Sequence, residues 1–347
     1  MFARGWLLLI CGLGFAGSLL AAPSVGFRQL QLVDPLDQRP LSAIAFYPSS
    51  SPEGRSRIGP YRLEAVQDTK AAKGRYPLLV LSHGNGGSPL AHHDLAIYLA
   101  RQGFVVVAPW HLGDDDQGHS RRGTVSNLYG RPMQAAEAIK AVVDDRLLGP
   151  VLDDQHIGLI GYSAGGETAL ILAGAKPSPQ RLQRYCAQHR DDQDACGAAD
   201  GLRVDRDDLV PRADPRVGAV LLLAPAGLLF GPEELVGVRV PVLLYVGADD
   251  QLVPRKHNAD ALAQHLAQTV AYRLLDGAGH FVFMAPCSPE QAALMAEICQ
   301  DAAGVDRTAV HRRLNAEAAR FFREALGVDA SALVEGQGDR EQHAERR

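Results

Sequence analysis

An apolar run, His156 to Ile160, leads into Gly161-Tyr162-Ser163-Ala164-Gly165, and an Ala-rich helical stretch, Ala164 to Ala173, leads out of it. The order is strand, glycine-flanked serine, helix. A turn tight enough to join the two crowds the side chains two before and two after the serine against neighbouring backbone, so both positions call for glycine. The hydroxyl is then held at the end of a sheet, and the helix directs its N-terminal dipole and free amide hydrogens at negative charge forming there. This combination describes a nucleophile elbow.

A serine nucleophile needs a base and a group to orient the base. Downstream, the buried strand Pro241 to Gly247 runs into Ala248-Asp249-Asp250-Gln251-Leu252-Val253-Pro254. A second strand, Ala271 to Leu275, runs into Asp276-Gly277-Ala278-Gly279-His280-Phe281. The chain order Ser, Asp, His is that of the α/β-hydrolase fold and differs from the chymotrypsin and subtilisin orders. Upstream, the strand Pro77 to Leu81 ends in Ser82-His83-Gly84-Asn85-Gly86-Gly87, a glycine-rich loop whose backbone amides can approach an oxyanion. On the residues alone either Asp249 or Asp250 serves as the acid, the other capping a helix or holding a loop.

From about Tyr76 to Phe322 the chain resembles the α/β-hydrolase superfamily, in the branch of dienelactone-hydrolase-like and platelet-activating-factor-acetylhydrolase-like serine esterases. The resemblance rests on residues 82–87, on Gly161-Tyr162-Ser163-Ala164-Gly165-Gly166, on Gly247 to Pro254 and on Gly279-His280-Phe281. It implies Ser163, Asp250 and His280 as a catalytic triad. Asp250 is favoured over Asp249 because the family's acid stands three residues after the strand-end glycine and four before a proline. It implies an oxyanion hole from the backbone N–H groups of Asn85 and Ala164. Dienelactone hydrolases in the strict sense carry cysteine as nucleophile; serine here favours ordinary esters.

The chemistry expected of these residues is acyl transfer. Neutral His280 takes the proton of Ser163 as it attacks the carbonyl carbon, and Asp250 fixes the imidazole tautomer. No metal or organic cofactor is required. The expected function is hydrolysis of short acyl esters, such as acetyl esters or acetylated phospholipids. The alternatives are a polyesterase or lipase acting on longer or polymeric esters, and a noncatalytic hydrolase-like binding protein, since fold does not fix function.

Residues 1–22 carry an early Arg4, the apolar Trp6-Leu7-Leu8-Leu9-Ile10 and a small-residue ending Leu20-Ala21-Ala22, which reads as a signal peptide for a periplasmic or secreted protein. The alternative is an uncleaved anchor. With Cys11 in that segment, Cys186, Cys196, Cys287 and Cys299 remain, an even number in an exported chain. Two disulfides follow, and local pairing of Cys186 with Cys196 and Cys287 with Cys299 is the simplest of three connectivities. The spacings fit no zinc or CxxC redox motif.

The 347-residue chain has a formal net charge of −5 and no basic stripe with interleaved aromatics, which argues against nucleic acid as a partner. No obligatory protein partner is implied; the expected partner is a small-molecule ester, membrane lipid included. Gly26 to Val33 and Leu41 to Tyr47 read as antiparallel edge strands. Leu78 to Leu81, Val105 to Ala108, Ile157 to Ile160, Val217 to Leu223, Val242 to Val246 and Ala271 to Leu275 read as a mainly parallel, doubly wound sheet of α/β class with helices on both faces. Ala136, Ile139, Val143 and Leu147 mark one expected helix face, and Val310, Leu314, Ala318 and Phe321 a final packed helix. One α/β-hydrolase domain is expected over 23–327, and a disordered polar tail over 328–347.

The charged segment 176–216 interrupts the rhythm and is expected to cap the site or to be a surface loop. Trp110, His111 and Tyr162 are expected to line the substrate pocket, the first two from a loop at the carboxyl end of a strand. Asp114-Asp115-Asp116 reads as a solvated acidic loop, not a calcium site.

Overall fold

Alternating apolar residues on the central strands need cover on both faces, and the chain supplies helices for each. The computed structural model describes residues 23–197, 202–268 and 270–328. The expected signal segment 1–22, with Cys11, and all of the expected tail except Val328 lie outside the described residues.

The strands are β1 (Ser24–Val33), β2 (Pro40–Ser49), β3 (Ser56–Ile58), β4 (Tyr61–Leu63), β5 (Val66–Gln67), β6 (Tyr76–Ser82), β7 (Val105–Pro109), β8 (Leu152–Tyr162), β9 (Val217–Leu223), β10 (Val242–Gly247) and β11 (Val270–Leu275). The main sheet runs β11-β10-β9-β8-β6-β7-β2-β1-β5, and β3 pairs with β4 alone. From β7 to β11 the pairings are parallel. β1 and β2 pair antiparallel over Val33↔Pro40 to Ser24↔Ser49, and β2 joins β7 antiparallel. The eight strands read from the sequence are all present, and β3 to β5, two or three residues each, are too short to leave a period.

The helices are α1 (His93–Arg101), α2 (Val125–Asp144), α3 (Ala164–Leu172), α4 (Pro179–Gln188), α5 (Gln193–Cys196), α6 (Ala259–His265), α7 (Pro289–Leu294), α8 (Ala296–Cys299) and α9 (Arg307–Leu326). One face of the sheet, with Leu78, Val80, Val105 and Val107, packs with residues of α2 and α3. The other, with Leu79, Leu81, Val106 and Ala108, packs with residues of α1 and α9. Fully burying each such Val or Leu stabilises by about 1.5 to 3 kcal/mol. Thr124 caps α2 by accepting the Asn127 N–H, and α9 ends at Gly327 in the left-handed region at φ 66°.

Two expected helix faces are met in part, with Ile139 of α2 and Val310, Leu314 and Ala318 of α9 buried as expected. In α2 the buried stripe is Ala135, Ala138, Ile139 and Val142, while Ala136 is exposed and Leu147 lies beyond the helix end. In α9 Phe322 is buried and Phe321 only partly so. Apolar residues stand at both neighbouring positions, so hydrophobic spacing alone does not say which of the two stripes the sheet covers.

Segment 176–216 contains α4 and α5, tied by the Cys186–Cys196 disulfide with Cα atoms 5.5 Å apart. Backbone hydrogen bonds join Val125 N–H to Arg203 O at 3.0 Å and Arg203 N–H to Gly123 O at 2.9 Å, pinning the segment to the start of α2. The second disulfide joins Cys287 and Cys299. Both pairings are the local ones.

Candidate active site

Parallel strands place their carboxyl ends on one edge, and β6, β8, β10 and β11 each turn there into a loop bearing an expected site residue. Between β8 and α3 the chain reverses at Ser163, whose φ of 54° lies in the left-handed region that serine seldom adopts. The glycines on either side are required: a Cβ on Gly161 would collide with the carbonyl of Gly165, and one on Gly165 with the carbonyl of Ser82. The second collision shows how closely α3 lies on the end of β6. Hydrogen bonds to Ser163 hold the turn, its N–H donating to Leu223 O at 3.0 Å and its carbonyl accepting from Gly166 N–H at 2.8 Å and Ala226 N–H at 3.0 Å.

Asp250 follows β10 and His280 opens a short 3-10 turn, His280–Phe283, after β11. The His280 Nδ1–H donates to Asp250 Oδ2 at 2.7 Å, and the two residues are 7% and 5% exposed. Asp250 Oδ1 accepts the N–H groups of Leu252 at 3.0 Å and Val253 at 2.8 Å, which fixes the carboxylate. Asp249 is exposed and takes no part. With Nδ1 donating, the Nε2 lone pair of a neutral His280 is free to take a proton. Ser163 and His280 line one cavity; the Ser163 hydroxyl makes no hydrogen bond among the described residues, a looseness common before substrate is bound.

The cavity has a volume of about 470 Å³. Asn85 and Ala164 stand beside Ser163 in its wall, and neither N–H donates a hydrogen bond among the described residues. Ala164 is the first residue of α3, so its N–H has no partner within the helix. Tyr162 lies between His92 and His280, with ring centroids 4.8 Å and 5.0 Å away. Its hydroxyl donates to His280 O at 3.3 Å; burial, with the charge of Asp250, pushes its pKa well above the usual phenol range, so it stays protonated. The inserted segment contributes Leu182, Asp192, Ala195 and Leu202 to the wall, and the second disulfide loop contributes Met295 and Ile298.

Trp110 and His111 do not line this cavity, contrary to expectation. His111 is fully buried behind the glycine-rich loop, with Nε2 2.8 Å from Ser82 Oγ and Nδ1 3.1 Å from Gln134 Oε1. The expectation placed it by loop position; its polar partners on β6 and α2 turn it inward instead. The acidic run is likewise no solvated loop, since Asp114 and Asp115 are buried. Asp114 Oδ1 accepts the Gly86 N–H at 2.9 Å, and Oδ2 accepts Arg131 at 2.7 Å and Asn127 at 2.9 Å. Arg131 in turn donates to His83 O. Asp114 and Arg131 thus clamp the loop that carries Asn85 from both ends. Burial and the Arg131 charge hold His83 and His111 well below the ordinary histidine range, so both are neutral. Two groups to which the sequence reading assigns no role stand out here, Arg131 and Glu167; His92, whose spacing with His93 fits no metal site, is buried beside Tyr162, and Asp114 is a buried ligand of the loop. Only the position of Glu167, one turn after Ser163, carried a signal.

Among the described residues no cluster of three or more metal-ligating side chains occurs, and no helix is long and apolar enough to cross a membrane.

The strand order, with helices on both faces, is that of the α/β-hydrolase fold. Residues 55–118, which include the glycine-rich loop and the acidic run, match the family model of platelet-activating factor acetylhydrolase, isoform II. A protein designated an esterase, NocK of Nocardia uniformis subsp. tsuyamanensis, is 32% identical over 124 residues, spanning 36% of this chain and 36% of that protein's length. A ferulic acid esterase from Streptomyces cinnamoneus superposes with a TM-score of 0.62 at 21% identity, covering 90% of this chain and 93% of that one. A dienelactone hydrolase-like promiscuous phosphotriesterase from metagenomic libraries superposes with a TM-score of 0.53 at 17% identity, covering 87% of this chain and 99% of that one. The chain is thus similar to esterases in sequence over part of its length and to α/β-hydrolases in fold over most of it.

Proposed function

We propose that this protein is an exported serine hydrolase that cleaves carboxylic esters, those with short acyl groups foremost, through Ser163, His280 and Asp250. The observation that carries the reading is the meeting of three independent devices in one cavity. These are a serine held at a left-handed turn, an imidazole fixed by a buried carboxylate, and two backbone N–H groups without acceptors among the described residues. The partial similarities to an acetylhydrolase family and to an esterase support the same reaction class.

In the proposed sequence the Ser163 oxygen attacks the ester carbonyl as its proton passes to His280 Nε2. The carbonyl π electrons move to oxygen, which accepts hydrogen bonds from Asn85 and Ala164; each such donor is worth about 3 to 4 kcal/mol of barrier. The tetrahedral intermediate collapses, the C–O bond to the alcohol breaks, and the imidazolium returns its proton to the departing oxygen. Water then attacks the acyl-enzyme with the proton transfers repeated, releasing the acid and restoring Ser163. Asp250 keeps Nδ1 protonated and stabilises the imidazolium.

Export is supported by the leader-like residues 1–22 and by the two disulfides, bonds that persist in oxidising compartments. Segment 176–216 serves as the cap, since four of its side chains face the cavity above Ser163.

Hydrolysis of p-nitrophenyl acetate, butyrate and palmitate tests the proposal, with Ser163→Ala as the control. Activity greatest on acetate or butyrate, and absent from a folded Ser163→Ala, is expected. A maximum on palmitate would turn the reading to a lipase. No turnover of any ester, with no reaction toward a fluorophosphonate probe, would make the protein a noncatalytic binder.

A further inference from the structure

The cavity wall is largely apolar beyond Ser163, with Leu128, Leu182, Leu229 and Met284 among its side chains. Glu167 breaks that pattern. It belongs to α3, four residues after Ser163, and faces the same cavity. Glu167 is the fourth residue of α3, one turn past the left-handed turn that holds Ser163, and both residues line the cavity. The carboxylate forms neither a hydrogen bond nor an ion pair among the described residues, although Arg131 is near enough to act on it through its charge. Arg131 is instead engaged by Asp114 at 2.7 Å and by His83 O.

Glu167 is only partly buried, its open side being the cavity, so a ligand that displaces water from this unpaired carboxyl must itself meet it or bear the desolvation cost. The described protein groups do not meet it, and the cavity is where a ligand would. Resting on the ester-hydrolase reading above, we infer that Glu167 is a recognition group for substrate. The favoured esters carry a hydrogen-bond donor, a hydroxyl or an ammonium, a few bonds from the reacting carbonyl. An anionic group at that place would be repelled.

The charge state of Glu167 separates the two donors. Burial, opposed by Arg131 and assisted by Asp114, pushes the carboxyl up to about 7. The other titratable or charged groups facing the cavity are Asp116, Arg122, Asp192, His83, His92, His280, Tyr61 and Tyr162. Below pH 7 the neutral acid exchanges a hydrogen bond with a hydroxyl; above it the carboxylate favours an ammonium.

The test compares matched esters in which one terminal methyl is replaced by hydroxymethyl or aminomethyl, in either the acyl half or the alcohol half. Ratios of kcat/KM within each pair cancel any general change in activity. In the wild type at least one donor-bearing ester should exceed its methyl partner by about tenfold, the increment of one good polar contact. In Glu167→Leu that ratio should fall below one. In Glu167→Gln a hydroxyl preference should persist while an ammonium preference disappears. Any ammonium ratio should rise between pH 6 and 8 in the wild type and stay flat in Glu167→Gln, a response that a packing role would not produce. Wild-type turnover of the methyl esters with ratios unmoved by Glu167→Leu would overturn the inference and leave the esterase reading intact. Failure of the wild type on every ester would remove both. Should Glu167→Leu not fold, the pH response of Glu167→Gln decides alone.

Discussion

Ser163 occupies a backbone conformation that few serines adopt, and its neighbours are chosen to keep it there. Gly165→Ala, placing a methyl against the carbonyl of Ser82, is expected to cost about 1 to 3 kcal/mol of stability by denaturant titration and to displace Ser163. An unchanged stability would mean that α3 can retreat from β6. Asp250→Asn is expected to lower kcat by about 10³- to 10⁴-fold, because an amide can present its N–H to Nδ1 and favour the wrong tautomer. KM should change little. A loss of less than tenfold would assign the imidazole's orientation to something other than Asp250. The serine, the histidine and the oxyanion loop are legible in the sequence because each needs glycine in a fixed relation to a strand end. The partner of the histidine is not fixed by such spacing alone: Asp249 and Asp250 are adjacent, and burial separates them. Trp110 and His111 were misplaced because a loop position says nothing of the direction in which a side chain turns.

At the scale of elements, β6, β7 and α2 meet where Asp114 and Arg131 hold the oxyanion loop. No periodicity announces such a contact. Asp114 reads as part of a charged run, and its partner lies 17 residues on, inside a helix. Asp114→Ala would leave the Arg131 charge buried without its counterion, a loss of about 3 to 5 kcal/mol. Asp114→Asn keeps an acceptor for Gly86, so it should retain more stability yet lower kcat more than it raises KM. Equal stability of Asp114→Ala and wild type in urea would show that Arg131 finds another partner. The strands were legible because they are continuous β-branched and leucine runs between turns. Single members of the helix faces differ from expectation where Ala135 and Ala136, or Phe321 and Phe322, offer equal hydrophobicity on adjacent positions, while Ile139, Val310, Leu314 and Ala318 are buried as expected.

Across the whole molecule, buried histidines set the response to acid. Burial lowers His92 to about 4, and lowers His83, His93 and His111 as well. An unfolded chain binds protons at these sites below about pH 6.5 while the folded one resists, so stability falls as pH drops through that range. The Asp94–His311 pair runs differently. Burial opposes charge on both, but their 2.6 Å hydrogen bond raises His311 and lowers Asp94 to about 2. The Asp94 contribution is held above its unfolded value of 3.8 and lost only as pH falls toward 2, whereas that of His311 fades as pH rises through its raised value. Urea midpoints should therefore drop between pH 7 and 4.5, and His92→Leu should reduce the drop by on the order of 2 to 3 kcal/mol. A midpoint constant over that interval would rule this account out.

The close seating of Gly165 on the carbonyl of Ser82 has a thermal consequence. The loop bearing Asn85 grows from the end of β6, and the turn bearing Ser163 from the end of β8; where the two backbones touch, no side chain lies between them to act as a spring. Backbone seated on backbone leaves the separation of Ser163 from the Asn85 loop little slack, so that gap should hardly widen on warming. A plot of log kcat against reciprocal temperature should stay straight until the fold itself gives way.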